Sequence, residues 1–152
     1  MKVKGVNVVW KSLYWEDVEE GLELPTVTRD ITSTTVVSCA IASRDFMPIH
    51  HDRDCAQKAG LKDIFVNTPT IYGFAGKYLT DWSGPEGEPK EIALRLMMPC
   101  FPGDTMTMTG KVAKKYTDAG QHLVDIEFTF AVPLGLNCTG KGTIGLPTKS
   151  SS

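Results

Sequence analysis

Between Thr68 and Trp82, apolar residues recur at Ile71, Phe74, Ala75, Tyr78, Leu79 and Trp82, the i, i+3, i+4, i+7, i+8 and i+11 positions of one helix face. A stripe this continuous has to be wrapped, so the remaining chain must supply a broad apolar surface. Thr68 reads as the N-cap and Pro69 as the first helical residue, where a missing N–H costs nothing. Gly73 and Gly76 lower helix propensity, and the expectation is that they let another backbone come close. The stretch S-G-P-E-G-E-P, Ser83 to Pro89, ends the helix.

The surface that wraps it is written in the second half of the chain. Val124, Ile126, Phe128, Phe130 and Val132 alternate with Asp125, Glu127 and Thr129, which describes a strand with one buried side. Met106, Met108 and Val112 alternate with threonines and Lys111, and Ile92, Leu94, Leu96 and Met98 alternate with Ala93, Arg95 and Met97. Turns at P-C-F-P-G-D and T-D-A-G separate these runs, so neighbouring strands are expected to pair antiparallel, with a weaker last strand near Cys138 to Leu146. The fold class is therefore α+β, a curved antiparallel sheet around one long helix.

Upstream, Pro25 to Ile31 reads as a short strand, and Thr32 or Ser33 caps a helix running to about Ser43 with Val36, Val37, Ala40 and Ile41 on one face. Pro48 biases Met47 away from helical geometry, so Asp45 to His51 should be a turn or extended loop. A short helix follows, with Asp52 as N-cap, Asp54 in the first turn, Lys58 in the last and Gly60 just beyond the end.

With 152 residues the chain reads as one domain, 1–152, with an N-terminal lead-in over 1–24 packed along the outside and a disordered tail over 148–152. A net charge of −2 and only one pair of basic neighbours, Lys114 and Lys115, give nucleic acid or an anionic membrane nothing to hold. The first ten residues carry too short an apolar run for a signal peptide and no segment reaches transmembrane length, so the expected location is cytoplasmic. Cys39, Cys55, Cys100 and Cys138 lie far apart and read as buried free thiols.

Chemistry concentrates in S-R-D-F-M-P-I-H-H-D-R-D-C-A, Ser43 to Ala56, where Asp45 and His50 flank one proline. A carboxylate and an imidazole can share a water and divide general acid-base work without a metal or cofactor. Spacing alone favours a surface pair or a turn, so the reading depends on the surroundings. His50, His51, Asp52 and Asp54 do not read as a metal set, because adjacent extended residues point apart and the acids suit a helix start.

The order of elements resembles the hotdog fold, and four segments resemble the MaoC-like dehydratases, which include the (R)-specific enoyl-CoA hydratases. The family's G-D-x-N-P-x-H is similar to R-D-F-M-P-I-H at Arg44 to His50; F-V-N-T-P at Phe65 to Pro69 matches the entry to the central helix; L-R-L-M-M-P-C-F-P-G-D at Leu94 to Asp104 and W-E-D-V at Trp15 to Val18 also match. H-H-D-R-D, D-I-F-V-N and Y-L-T-D-W-S-G-P further resemble the small hotdog hydratase subunits of bacterial steroid side-chain degradation, which points to a bulky acyl-CoA. Two positions depart from the pattern: Arg44 stands for the family glycine and Met47 for the family asparagine.

The resemblance implies reversible hydration of a 2-enoyl-CoA, with Asp45 and His50 as the catalytic pair and the thioester oxygen held by the backbone N–H of Thr68. Asn67 and Met47 belong to the same substrate-binding region. It implies no cofactor, since the CoA thioester is the substrate, and a homodimer or a heteromer with a second hotdog chain. A non-catalytic acyl-CoA binding subunit and a hotdog thioesterase are the alternatives it leaves open. His51 reads as solvent-facing or as a support behind the site, His122 as a surface strand position, and Met97, Met98, Met106 and Met108 as core or tunnel lining.

Overall fold

The computed structural model describes residues 11–149. A short 3₁₀ turn at Trp15–Asp17 leads into strand β1, Glu23–Asp30, and helix α1, Ser33–Ala42. A second 3₁₀ turn at Pro48–His50 precedes α2, Arg53–Lys58, and the long helix α3, Thr68–Ser83. Strands β2, Glu88–Leu96, β3, Thr105–Asp118, β4, Gln121–Val132, and β5, Gly135–Gly145, complete the chain.

The strands form one antiparallel sheet in the order β1-β3-β4-β5-β2. Its buried face carries Met106, Met108 and Val112 from β3, Ile126, Phe128 and Phe130 from β4, and Ile144 from β5. Onto it α3 lays Ile71, Phe74, Ala75, Tyr78 and Leu79, all within 8 % exposure, as the period of the stripe demands. Removing a side chain such as Leu79 or Ile71 from water contributes on the order of 1.5–3 kcal/mol. α1 buries Val36 and Ala40 and leaves Ile41 exposed.

Several expectations change in detail. The N-cap of α3 is Asn67, whose Oδ1 accepts from Thr70 N at 3.3 Å; Thr68 is the first helical residue. An amide oxygen reaches the free N–H groups as well as a hydroxyl does, and Pro69 fits the first turn at either position. P-C-F-P-G-D is not a hairpin turn, because β2 pairs with β5 and β3 pairs with β1 and β4. It is a crossover pinned by Asp104, whose Oδ2 accepts from Phe101 N at 2.8 Å, and by Ile31, whose N–H and C=O bond Asp104 and Gly103. The last strand is a full 11 residues, steadied on both sides by β4 and β2.

The close approach of helix and sheet is made by sheet glycines rather than by Gly73 and Gly76. Nothing lies within 4 Å of a Cβ placed on Gly73, and Gly76 would meet only a side-chain atom of Ile92 at 3.8 Å. A Cβ on Gly142 of β5 would fall 2.4 Å from Leu79 Cδ1.

Of the cysteines, Cys100 and Cys138 are buried and Cys39 and Cys55 are half-exposed at helix surfaces. Met106 and Met108 are core, whereas Met97 and Met98 lie in the open beyond the end of β2. The lead-in is not wholly external, since Val18 and Leu24 join the core; its residues 1–10 lie outside the described residues. Lys149 is tied to Glu16 through its backbone N–H at 3.1 Å, which separates 148 and 149 from the expected loose tail; residues 150–152 lie outside the described residues. Among the described residues no helix is long and apolar enough to cross a membrane.

Candidate active site

The end of α1 places Asp45. Arg44 N donates to Ile41 O and Asp45 N to Ala40 O, the paired bonds of a Schellman motif, with Arg44 in the left-handed region at φ 56°. This is the position at which a helix usually ends on glycine, so the backbone itself explains why the motif carries glycine there. From this turn the chain runs through Met47, at φ −61° and ψ 122°, into the 3₁₀ turn that Pro48 opens, and His50 closes it.

The two side chains meet across this loop. His50 Nε2 lies 3.6 Å from Asp45 Oδ2, too far for a direct hydrogen bond. The other ring nitrogen, Nδ1, is 2.8 Å from the carbonyl oxygen of Phe65, an acceptor, so Nδ1 carries the proton and donates. With its proton on Nδ1, the neutral form of the ring would turn a bare Nε2 toward Asp45. Phe65 also stacks edge-on against the ring at 4.6 Å between centroids, and His50 is only 7 % exposed.

Asp45 is fixed from two sides. Asn67 Nδ2 donates to its Oδ2 at 3.0 Å, and Met47 N donates to its Oδ1 at 3.3 Å. The Asn67 hydrogen bond is the main reason its carboxyl is held below the ordinary value of 3.8; partial desolvation opposes it, and the Met47 N–H and the nearby imidazoles of His50 and His51 add to the lowering. Asn67 is itself buried and fully engaged: Nδ2 also donates to Ser43 Oγ at 2.8 Å, and Oδ1 accepts from Thr70 N and Thr70 Oγ1.

Asp45, His50 and Asn67 are thus brought together. The amide of Asn67 faces protein groups on all sides, which makes it a support for Asp45 rather than a contact for substrate. Thr68 is exposed at the start of α3; Asn67 caps Thr70 and leaves the Thr68 N–H, one of the donors a helix cannot satisfy internally, uncapped. Met47 points outward at 57 % exposure, next to Phe46 at 67 %. Ser43, Thr70 and the carbonyl of Phe65 are participants that sequence reasoning missed. Ser43 and Thr70 act only through a hydrogen-bond chain, and a backbone carbonyl carries no sequence signal.

His51 is exposed, and His122 is half-buried beside Trp15 with Nδ1 3.3 Å from Thr117 Oγ1. Among the described residues no three His, Cys, Asp or Glu side chains converge as a metal site. A carboxylate oxygen and an imidazole nitrogen 3.6 Å apart are close enough to share one water, which is the geometry general acid-base chemistry requires.

A five-stranded antiparallel sheet on one long helix defines a hotdog domain, and here an aspartate and a histidine converge beside that helix's N-terminus. The MaoC-like domain model matches residues 18–129, and the chain belongs to that family. It is 47% identical over 92 residues, 60% of this chain and 71% of the other, to the 3-oxo-4,17-pregnadiene-20-carboxyl-CoA hydratase beta subunit of Mycobacterium tuberculosis. Among solved structures, the ChsH1-ChsH2 complex from Mycobacterium tuberculosis matches at TM-score 0.79 and 38% identity, covering 84% of this chain and 98% of that one. The (R)-hydratase from A. caviae shares the fold at TM-score 0.77 and 22% identity, covering 87% of this chain and 99% of that one.

Proposed function

We propose that this chain hydrates a 2-enoyl-CoA, and reverses the reaction, with Asp45 and His50 acting on one water. The observation that carries this reading is the Phe65 carbonyl on His50 Nδ1, which leaves Nε2 as a base facing the Asp45 carboxylate. The water gives one hydrogen bond to each. As its oxygen attacks C3, its proton passes to Nε2, and the resulting imidazolium lies between the carboxylate of Asp45 and the carbonyl of Phe65. Electron density moves from the double bond onto the thioester oxygen, where the uncapped N–H of Thr68 and the positive end of α3 stabilise it. The imidazolium then returns the proton to C2. The sum is addition of H and OH, with His50 as base and then acid and Asp45 as the fixed countercharge.

The acyl group is a bulky, steroid-type side chain and the working assembly includes a second hotdog chain. The first is supported by the relative at 47% identity, a 3-oxo-4,17-pregnadiene-20-carboxyl-CoA hydratase beta subunit, and the second by the ChsH1-ChsH2 complex of the solved relative. The structure adds a surface suited to a partner: β2 is an edge strand, and beside its end Leu96, Met97, Met98, Leu134 and Leu136 are all at least 40 % exposed.

The test incubates the purified chain, alone and with a candidate partner hotdog chain, with medium-chain, long-chain and steroid enoyl-CoAs while following enoyl absorbance and free thiol. Loss of absorbance without thiol supports hydration. Thiol release without hydration makes the protein a thioesterase, and activity of the complex that survives loss of His50 makes it a non-catalytic subunit.

A further inference from the structure

A second concavity lies away from Asp45 and His50, between edge strand β1 and the outer side of α3, and shares no residue with the site above. It encloses about 200 Å³, below the roughly 300–1,000 Å³ of drug-sized sites. Its walls are Val27, Phe74, Trp82 and Met108. Arg29, Lys77, Tyr78 and Asp81 also line it, and they differ in what they can offer a ligand.

Tyr78 has already spent its proton: its hydroxyl donates to Pro25 O at 3.1 Å, where the bulge between Leu24 and Val27 turns that carbonyl inward, and burial pushes the phenol up to about 12. Lys77, at the rim, is held by Asp81 at 2.7 Å. Arg29 is different. Its guanidinium lies 4.5 Å over the ring of Phe74, half-buried, and among the described residues no carboxylate or carbonyl takes its hydrogens. Stacking holds the plane of the fork but leaves its in-plane N–H groups open, the arrangement that receives a carboxylate edge-on.

We propose that this cavity binds a short amphipathic monocarboxylate, its apolar body against Phe74, Trp82 and Met108 and its carboxylate on Arg29. Charge complementarity selects the anion: of the two cations lining the cavity, Lys77 is paired with Asp81, whereas Arg29 has no acid partner among the described residues. The small volume selects a short chain. The inference is independent of the hydration chemistry, since none of these residues belongs to that site.

Titration of the full chain with octanoate, octanol and octylammonium, followed by calorimetry and by tryptophan fluorescence, to which Trp82 in the cavity wall contributes, tests it. Octanoate should saturate at one per chain and bind at least about tenfold tighter than octanol, with octylammonium weakest. Arg29→Met should remove that tenfold preference, while Asp45→Asn should leave octanoate binding unchanged. Equal binding of octanoate and octanol to the unaltered protein, absence of saturation, or loss of binding in Asp45→Asn would each overturn the proposal, and the first two need no variant that must fold.

Discussion

Asn67 donates a 3.0 Å hydrogen bond to Oδ2 of Asp45, the same oxygen that faces His50 Nε2. Through its Oδ1 the same residue caps α3, so the helix that organises the core and the carboxylate of the candidate site share one buried amide. Replacing Asn67 with alanine should therefore act in two separable ways. Loss of the cap costs about 1 kcal/mol at any pH. Loss of the bond to Asp45 lets that carboxyl rise toward 3.8, which carbon NMR of the Asp45 carboxyl would register as a titration midpoint higher than in the unaltered protein. The sign follows from a lowered folded-state value: the Asp45 part of the stability difference is present above about 3.8 and disappears as pH falls through the lowered value. The cap part remains, so the stability gap between the two proteins should narrow in acid without closing.

Removing either member of the pair should abolish most hydration while the fold stays intact. Asp45→Asn keeps shape but loses the charge, and His50→Ala loses the base; each should lower kcat/KM by about 10²–10⁴, the range of positioned acid-base groups. Steady-state assay of the working assembly, with circular dichroism to verify folding, checks this. Full activity in either variant would rule out the proposed chemistry.

The turn that delivers Asp45 carries a cost that can be relieved. Arg44 sits at φ 56° at the C′ position of α1, where a side chain loses on the order of 1–2 kcal/mol against glycine. Arg44→Gly should raise unfolding free energy, by less than that amount because glycine is also freer in the unfolded chain. Urea melts of the two proteins would show the midpoint moving up; a drop would mean that the Arg44 side chain contributes contacts that outweigh its backbone strain.

Legibility followed the physical range of the signal. Periodicity is local and strong, so the α3 stripe and the alternation of β4 led directly to the buried residues. Asp52 as N-cap of α2 was readable because capping is decided within three residues, and the cap of α1 was narrowed to Thr32 or Ser33, of which Thr32 is the one that accepts from Thr35 N. Pairing order was not, since nothing in P-C-F-P-G-D states that β2 must cross to β5. The site was half visible: Asp45 and His50 are marked by residue type, whereas the Phe65 carbonyl that sets the tautomer of His50 is 15 residues away and has no side-chain signature. Arg44 and Met47 read alike as departures from the motif, yet the first bears on backbone conformation and the second is an outward-pointing side chain.

The same contrast between local and long-range information separates the glycines. Gly73 lies in the exposed interior of α3 with nothing within 4 Å of an added Cβ, so it contributes only the low helix propensity of glycine. Gly73→Ala should therefore stabilise the protein by about 0.5–1 kcal/mol. Gly142 has the opposite surroundings: its added Cβ would fall 2.4 Å from Leu79 Cδ1, and Leu79 is fully buried on the helix face that meets the sheet. The helix would have to lift or Leu79 would have to leave its rotamer, at a cost of about 1–3 kcal/mol. Gly142→Ala should accordingly lower the melting temperature, and pairing it with Leu79→Ala should give a double variant less destabilised than the two single losses added together, because the second change removes the clash that the first creates. Thermal unfolding of the four proteins measures this coupling. Strict additivity would show that helix and sheet do not meet at these two residues.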